Sequence, residues 1–352
     1  MRYLIVQDWD NTHGNHAGMV HMCKLLCEKY PDKYRMFVNE APKPNRASEN
    51  GLVHRIRQHF ERLAERKKNA KEYIKLCTPM FAMLKEGDEV FLLEYNWPQT
   101  SQYELACYIK NCFDGVKLYA LSHLTPTYFN KLKDSKKYIL EWDKPIDKQL
   151  TLGTSLTSFF KEIGISEGKI STGFHYVDGH YYNNVVEYVN NPITVITIGA
   201  LQRDFQLLAD VVKGNPEVNW IICKGRKNID GLFTKLDNVT LVGYVQEDEL
   251  KKYMSISDLS LNILEDTVGS NVITTSMAMG LGIVVSDVGS IHDYCDDTNA
   301  VFCLNTAESF SNAIRNLSQN KGKVLAMRQS SFEKSTAFKI QKIDEWFNTL
   351  NE

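Results

Sequence analysis

Cationic side chains follow two apolar runs in the second half of the chain. Arg203 comes shortly after the run that ends at Ile198, and Lys224 and Arg226 directly follow the next run. A cation placed just past a strand end can reach a phosphate that backbone amides hold. These residues therefore predict a site for an anionic ligand. Two alternatives stay open: Arg203 pairs with the adjacent Asp204 or caps a neighbour, or the later cations lie in a solvated loop.

Acidic, glycine and capping residues follow a third apolar run. In order along the chain they are Glu265, Asp266, Gly269, Ser270 and Asn271. The glycine lets a ligand approach the backbone, and the N–H groups of a first helical turn favour a diphosphate. The two carboxylates upstream are suited to holding sugar hydroxyls. Together the two groups of residues indicate a ligand that carries both a phosphate and a sugar.

Short apolar runs that alternate with helical patterns must position these residues. In the first half the runs are Tyr3–Gln7, Arg35–Val38, Glu89–Glu94 and Lys117–Ser122. In the second half they are Ile193–Ile198, Val218–Cys223, Val239–Gly243, Leu259–Leu264, Gly282–Ser286 and Ala300–Leu304. Continuous apolar strands between helices predict parallel sheets covered on both faces. Each half is therefore expected to be a doubly wound α/β domain that binds ligands at the carboxyl ends of its strands.

Length and composition agree with two soluble domains. The chain has 352 residues, 43% of them hydrophobic and 24% charged, and a formal net charge of −2. This balance argues against a basic nucleic-acid wrapper, disorder and a membrane-spanning bundle. We predict domains at 1–165 and 166–335, and a helix at 336–352 that crosses back to the first domain. The charged start and eight scattered cysteines predict a cytoplasmic protein without a signal peptide and with reduced thiols.

Three segments of the second half resemble a known family. The segments GALQRDFQLLADVV, NVTLVGYVQEDELKKYMSISDLSLNIL and VGSNVITTSMAMGLGIVVSDVGSIHDY resemble, in order and spacing, family 4 retaining glycosyltransferases of the GT-B fold. The first half is similar more loosely, through NTHGNHAG, LSHLTP and TGFHYVDGHYY. The resemblance implies two Rossmann-like domains that face each other across a cleft. The second domain would bind a nucleotide sugar.

The resemblance also implies roles for individual residues. Arg203 falls where the family has a diphosphate-binding lysine. Ala200 replaces a second cation, which Lys224 or Arg226 would restore. His123 matches a histidine that faces the donor sugar, which implies a catalytic role. The resemblance implies further donor-binding residues in three places. They are Gly14 and Asn15 in the first loop, Gly243, Tyr244 and Val245 against the nucleotide base, and Gly269, Ser270, Asn271 and Val272 against the diphosphate.

Two threonines depart from the family pattern. Thr267 and Thr275 stand where the family has two glutamates. The resemblance then implies that Thr275 holds the ribose through its hydroxyl, a weaker contact than that of a carboxylate. It implies further that Glu265 or Asp266 takes over the catalytic position of the first glutamate.

A basic segment in the first half indicates where the protein would contact the surface that holds its acceptor. Residues 51–75 carry eight Lys or Arg against three Glu, with apolar residues at helical spacing. This pattern predicts a basic amphipathic helix, either a solvated helix or one that docks on an anionic membrane. The second reading predicts peripheral contact with the inner face of the cell membrane, where lipid-linked acceptors are held.

The sequence thus predicts a metal-independent retaining glycosyltransferase with no cofactor. It would move a sugar from a UDP- or GDP-sugar to a glycan or lipid-linked acceptor in surface-polysaccharide assembly. Alternatives are a GT-B nucleotide-sugar epimerase and a catalytically silent GT-B scaffold of a polysaccharide assembly complex. The missing GxGxxG after the first strand argues against a dehydrogenase, and the charge balance argues against a nucleic-acid partner.

Overall fold

The computed structural model describes residues 1–9, 15–40, 68–97, 100–184, 186–199 and 203–351. The chain divides into two compact units. Unit 1 comprises Met1–Leu152, Leu156–Gly173 and Asn348–Glu352, and unit 2 comprises Gly153–Ser155 and Phe174–Phe347. In the described part of the chain, no helix is both long and apolar enough to span a bilayer.

Unit 1 is built on a six-stranded parallel sheet with the order β2-β1-β3-β4-β5-β6. The strands are β1 (Arg2–Asp8), β2 (Tyr34–Glu40), β3 (Glu89–Leu92), β4 (Lys117–Ser122), β5 (Lys148–Thr151) and β6 (Ile170–Thr172). The helices are α1 (Met19–Lys29), α2 (68–76), α3 (Thr78–Phe81), α4 (Gln102–Cys112), α5 (Pro126–Asn130), α6 (Ser135–Asp143) and α7 (Thr154–Ile163). A core of apolar side chains from β1, β3, β4 and α4 lies on one side of this sheet.

Unit 2 is built on a second six-stranded parallel sheet, with the order β12-β11-β10-β7-β8-β9. Its strands are β7 (Thr194–Ile198), β8 (Asn219–Gly225), β9 (Val239–Gly243), β10 (Leu259–Asn262), β11 (Gly282–Ser286) and β12 (Ala300–Cys303). The main helices are α8 (Phe205–Lys213), α9 (Glu247–Ser255), α10 (Asn271–Ala278), α11 (Ala307–Ser318), α12 (Lys321–Ser335) and α13 (Ile340–Asn348).

Burial explains why the central strands of unit 2 are largely apolar. Every residue of β7, β10 and β11 is buried, so both faces of these strands are covered. Helix α8 turns Leu208, Val211 and Val212 into the core and begins at Asp204, whose carboxylate accepts the Leu207 N–H at 2.9 Å. This cap directs the chain away from the end of β7.

A buried ion pair holds the segment that enters β7. Arg328 Nη1 lies 2.7 Å from Asp258 Oδ1, and the two side chains are 4% and 0% exposed. The other oxygen of Asp258 accepts the Thr194 N–H at 2.8 Å. Because each buried charge has a partner, their attraction offsets part of the desolvation cost, and the Asp258 contact to Thr194 fixes the start of β7.

The predicted fold class, α/β with two doubly wound sheets, is confirmed, and each predicted strand is present within a few residues. The sequence analysis missed β5 and β6. These strands have four and three residues, and β5 begins with Lys148 and Gln149. Such short, partly polar segments carry little strand pattern; β5 is placed in the sheet by pairing with β4, and β6 by pairing with β5.

Candidate functional site

The carboxyl ends of β7 and β10 meet at the switch point of the second sheet. From β7 the chain continues to β8 on one side, and from β10 it continues to β11 on the other side. Helices α8 and α10 follow these two strands and leave the sheet in different directions. The resulting crevice is where open α/β sheets bind ligands.

Arg203 lies across this switch point. Its backbone forms an isolated antiparallel bridge with Leu264, just beyond β10. Nη2 of its guanidinium donates to the Ile198 carbonyl at 3.2 Å and to Oδ1 of Asn262 at 3.3 Å. Among the described residues, buried Nε and Nη1 have no hydrogen-bond partner. The alternative that Arg203 pairs with Asp204 is wrong, because Asp204 caps α8 and Arg203 donates to other atoms.

Among the described residues, no acidic side chain compensates the charge of the Arg203 guanidinium. Burial lowers its pKa to about 10, below the ordinary range of an arginine. Two buried donor atoms without partners cost free energy in the unliganded protein. An anion at this position would pair with both donors, and arginine is suited to bidentate binding of phosphate.

The amino end of α10 lies beside Arg203. The Ser270 hydroxyl caps this helix by accepting the Val272 N–H at 3.2 Å. Gly199, with φ of +90°, lies between the two features: an added Cβ would be 3.8 Å from both Arg203 Nη2 and Val272 Cγ2. A ligand at the start of α10, near Asn271, would therefore meet both the guanidinium and the positive end of the helix.

Gly269 is required by packing as well as by backbone conformation. Its φ is +109°, and a Cβ at this position would collide with the Tyr294 hydroxyl. That hydroxyl in turn accepts the His175 N–H at 2.9 Å. Sequence reasoning assigned this glycine to close approach of a ligand, whereas the structure shows a protein side chain against it.

The two carboxylates after β10 have different surroundings. Glu265 is exposed, whereas Asp266 is 7% exposed and accepts the Thr267 N–H at 2.7 Å. Gly289 has no Cβ to fill the space in front of the Asp266 carboxylate. Asp266 therefore shapes the loop that precedes α10, and Glu265 is the carboxylate that faces solvent.

The two threonines in the positions of the family glutamates form hydrogen bonds with nearby backbone atoms. The Thr267 hydroxyl accepts the Gly269 N–H at 3.1 Å. The Thr275 hydroxyl donates to the Asn271 carbonyl at 2.7 Å, one helical turn earlier. Both residues are 5% exposed. The proton of Thr275 is used within α10, so a ribose contact at this residue would use only the hydroxyl oxygen as an acceptor.

The cations after β8 have partners. Lys224 Nζ lies 2.5 Å from Asp230 Oδ1, an ion pair that sequence reasoning did not include. The Arg226 guanidinium lies 4.7 Å from the centre of the Tyr244 ring, and Tyr244 is 47% exposed. Since β8 and β9 are neighbours, the sheet brings Arg226 and Tyr244 together. Gly243 ends β9, and Val245 follows Tyr244.

The residues predicted in the first half lie in unit 1. His123, directly after β4, has Nε2 2.9 Å from the Leu93 carbonyl, so this nitrogen carries the proton. The same nitrogen is 3.8 Å from Oε2 of Glu94, whose pKa is raised by burial and lowered in part by His123. Sequence reasoning did not single out Glu94, because its proximity to His123 depends on the pairing of β3 with β4. The Asn15 carbonyl accepts the Gly18 N–H before α1, and Gly14 lies outside the described residues.

The comparisons with known proteins agree with this architecture. Residues 193–320 match the family model described as Glycosyl transferases group 1. No curated protein matches the chain in sequence. HepE from Anabaena, solved in complex with UDP-glucose, is similar over 99% of both chains, with 13% identity and a TM-score of 0.71. Sucrose-phosphate synthase from Thermosynechococcus elongatus is similar over 99% of both chains, with 11% identity and a TM-score of 0.73.

These similarities extend over both units and establish the fold. The two parallel six-stranded sheets with flanking helices match the GT-B fold of these structures, and residues 193–320 match the model of Glycosyl transferases group 1.

Proposed function

We propose that the chain is a metal-independent retaining glycosyltransferase of family 4. It transfers a sugar from a nucleotide-sugar donor, in the first instance a UDP-sugar, to a glycan or lipid-linked acceptor in surface-polysaccharide assembly. The observation that carries the proposal is the buried guanidinium of Arg203 with two unpartnered donor atoms at the switch point of unit 2. The domain match and the UDP and UDP-glucose complexes of HepE support the choice of donor.

Arg203 and α10 supply the positive charge that the leaving group needs. Negative charge develops on the diphosphate as its bond to the sugar breaks, and fixed donors in a dry site stabilise that charge without reorganising. The guanidinium and the start of α10 flank Gly199 and would contact the same diphosphate. Because two protein features already provide positive charge, the proposal assigns the diphosphate to them and not to a metal ion.

The proposed reaction breaks one bond at the sugar and forms another on the same face. The bond from C1 to the diphosphate oxygen breaks, C1 bonds to the acceptor oxygen, and the acceptor proton passes to the leaving diphosphate. The sugar has oxocarbenium character between these events. Glu265, exposed after β10, is proposed to hold a sugar hydroxyl, and His123 is proposed to act on the donor sugar from unit 1.

Calorimetry with UDP tests the donor site. Replacing Arg203 by Ala removes charge-assisted hydrogen bonds worth about 1.5 to 3 kcal/mol, so UDP affinity should fall by about 10- to 100-fold. Arg315→Ala is the matched control, since Arg315 is an exposed arginine of α11 whose Nη1 donates to Asn312. Equal UDP affinity in wild type and Arg203→Ala would overturn the site.

Product analysis with UDP-sugars tests the reaction class. A transferase should release UDP faster when an acceptor glycan is added and should leave the anomeric configuration of the sugar unchanged. UDP release together with a free epimerised sugar would indicate the epimerase. Tight UDP binding without turnover of any UDP-sugar would indicate the silent scaffold.

Residues 51–75 are proposed to bring the protein to an anionic membrane surface that holds the acceptor. The structure describes 68–75 of this segment. In that part, Lys68, Lys71 and Lys75 are exposed, and Lys68 lies 3.9 Å from Glu72. An exposed row of lysines on α2 is suited to anionic headgroups.

A further inference from the structure

Strand β10 carries the partner of a buried arginine near each of its ends. Asp258, directly before the strand, forms an ion pair with Arg328 at 2.7 Å. Asn262, the last residue of the strand, accepts a hydrogen bond from Nη2 of Arg203 at 3.3 Å. One arginine therefore has a charged partner at the amino edge of the sheet. The other has a neutral partner at the carboxyl edge, where such sheets bind ligands.

Asn262 departs from the composition expected of a central strand. Its side chain is 0% exposed, and asparagine is depleted in strands. A buried amide costs free energy unless its polar atoms have partners. Here Oδ1 accepts from Arg203, and Nδ2 donates to the carbonyl and hydroxyl oxygens of Ser260 at 3.3 and 2.9 Å. A polar residue that breaks the strand pattern with its partners in place indicates a specific use of its amide.

The contacts with Ser260 fix which way the amide of Asn262 faces. The Ser260 carbonyl can only accept a hydrogen bond, so the NH2 group of Asn262 must lie beside it. The amide oxygen then faces the guanidinium of Arg203. This oxygen orients the guanidinium by accepting one of its N–H groups, and it leaves the full positive charge in place.

The same hydrogen bonds connect Arg203 to helix α10. The Ser276 hydroxyl of α10 donates to the Ser260 hydroxyl oxygen at 3.0 Å, and Asn262 donates to that same oxygen. Ser260, Asn262 and Ser276 are each 0% exposed, so water does not compete for these bonds. The bonds thus join the two features of the proposed diphosphate site, the guanidinium and α10.

A carboxylate in place of the amide would change what Arg203 can bind. In the part of the chain that the structure describes, burial lowers the pKa of Arg203 to about 10, and no acidic side chain opposes this change. Burial also lowers the pKa of Arg328, but there the charge of Asp258 opposes the change. A guanidinium paired with a carboxylate has little net charge left for an anion, whereas one held by an amide keeps its charge.

We propose that Asn262 is the positioning residue of Arg203, which orients the guanidinium through a neutral acceptor and so keeps its charge available for the diphosphate. The inference rests on the proposed function and deepens it, because it names a residue that sets the selectivity of this site for the charged part of the ligand. Asn262 acts through Arg203 and requires no contact with the ligand itself.

Calorimetry on the full chain with UDP and with uridine tests the role of Asn262. Asn262→Asp keeps the shape of the side chain and adds a negative charge beside Arg203. UDP affinity should fall by about tenfold or more, whereas uridine affinity should stay within about twofold, because only the diphosphate meets the changed charge. Asn262→Leu removes the acceptor without adding a charge, and UDP affinity should fall by about three- to tenfold.

A double-mutant cycle separates positioning from a structural role. In an Arg203→Ala background, Asn262→Leu should change UDP affinity by less than about twofold, because the residue through which Asn262 acts is gone. Asn299→Leu and Asn299→Asp are the matched controls, since Asn299 is also 0% exposed in unit 2 but directly precedes β12, at the amino edge of the sheet. They should lower the melting temperature and leave UDP affinity unchanged.

Three results would overturn the proposal. They are wild-type UDP affinity in Asn262→Asp and Asn262→Leu, equal losses of UDP and uridine affinity in these variants, and a further loss when Asn262→Leu is added to Arg203→Ala. The melting temperature of each variant shows whether it is folded, and Asn262→Leu with its cycle decides if Asn262→Asp is not.

Failure of this inference and failure of the proposed function are distinguishable. If the proposed donor site is wrong, UDP affinity is unchanged in Arg203→Ala. If only the role of Asn262 is wrong, Arg203→Ala loses UDP affinity and both Asn262 variants keep it.

Discussion

Arg203 differs from the other cations near it in what surrounds its charge. Lys224 is paired with Asp230, and Arg226 lies over Tyr244 at the surface. In the described part of the chain, Arg203 has two buried donor atoms, Nε and Nη1, that have no hydrogen-bond partner. The desolvation cost of this guanidinium is already present in the unliganded protein, so each contact with an anion contributes more of its interaction energy to binding.

Replacing the two carboxylates after β10 should separate a ligand contact from a structural contact. Asp266→Ala removes the acceptor of the Thr267 N–H and should lower the free energy of unfolding by about 1 to 3 kcal/mol. Glu265→Ala changes an exposed side chain and should stay within about 0.5 kcal/mol of the wild type. Denaturant melts measure both effects.

The Glu265→Ala variant also tests the proposed contact to the sugar. Glu265→Ala should lower turnover of the UDP-sugar and leave UDP affinity nearly unchanged, because its proposed contact is to the sugar. Equal losses of UDP and UDP-sugar affinity in Glu265→Ala would assign this carboxylate to the nucleotide or to the fold.

Helix α10 connects β10 to β11, and its amino end also belongs to the proposed diphosphate site. It has eight residues, six of them buried, and its first turn is capped by Ser270. The hydroxyls of Thr274 and Thr275 donate to backbone carbonyls of the same helix. The six buried residues therefore anchor the helix in unit 2, with its amino end beside Arg203.

Removing the cap of α10 should affect both stability and nucleotide binding. Ser270→Ala should lower the free energy of unfolding by about 0.5 to 2 kcal/mol and should also weaken UDP binding. Thr306→Ala is the control, because the Thr306 hydroxyl caps α11 in the same way, accepting the Ser309 N–H at 3.2 Å, after the edge strand β12. It should lower stability similarly with UDP affinity unchanged. A loss of UDP affinity in both variants would point to a general effect of stability.

Helix α2 is the described part of the basic segment. Reversing the charges of Lys68, Lys71 and Lys75 should abolish cosedimentation with anionic vesicles at low salt, because each cation near such a surface contributes about 1 kcal/mol. Raising the ionic strength should have the same effect on the wild type, since salt at physiological concentration screens the attraction between charges more than roughly 8 to 10 Å apart. Neutral vesicles are the control. If the wild-type protein does not cosediment with anionic vesicles at low salt, the segment is a solvated face.

On the scale of the whole molecule, the last residues of the chain return to unit 1. Asn348 Oδ1 accepts from Arg2 Nη1 at 2.8 Å, and Asn351 Oδ1 accepts from the Tyr119 hydroxyl at 2.9 Å. The amide of Asn351 also donates to Glu89, which is paired with Arg2 at the start of the sheet. The tail thus closes the amino edge of the first sheet.

Deleting residues 348–352 should destabilise unit 1 in particular. The deletion removes these hydrogen bonds and the buried Leu350 side chain, a loss on the order of 3 kcal/mol. Hydrogen exchange should become faster at the amino ends of β1, β3 and β4. The strands of unit 2 are the internal control, and faster exchange there as well would contradict a local role for the tail.

Sequence patterns alone determined the architecture and which residues lie at the carboxyl edges of the two sheets. Alternating apolar runs and helical patterns specify parallel sheets, because a strand covered on both faces is mostly apolar along its whole length. Residues that follow such strands, including Arg203, Ser270 and His123, must then lie at a carboxyl edge. These inferences succeed since they depend on local periodicity and on one general rule for parallel sheets.

Only the tertiary structure decided how each residue at that edge is used. Asn262, which binds Arg203, is 59 positions away in the sequence, and the Glu89 partner of Asn351 is 262 positions away. Tyr294 explains Gly269, Asp230 pairs with Lys224, and pairing with β4 forms β5. Burial and hydrogen bonding depend on neighbours that folding brings together from distant parts of the chain, so residue types and spacing do not contain this information.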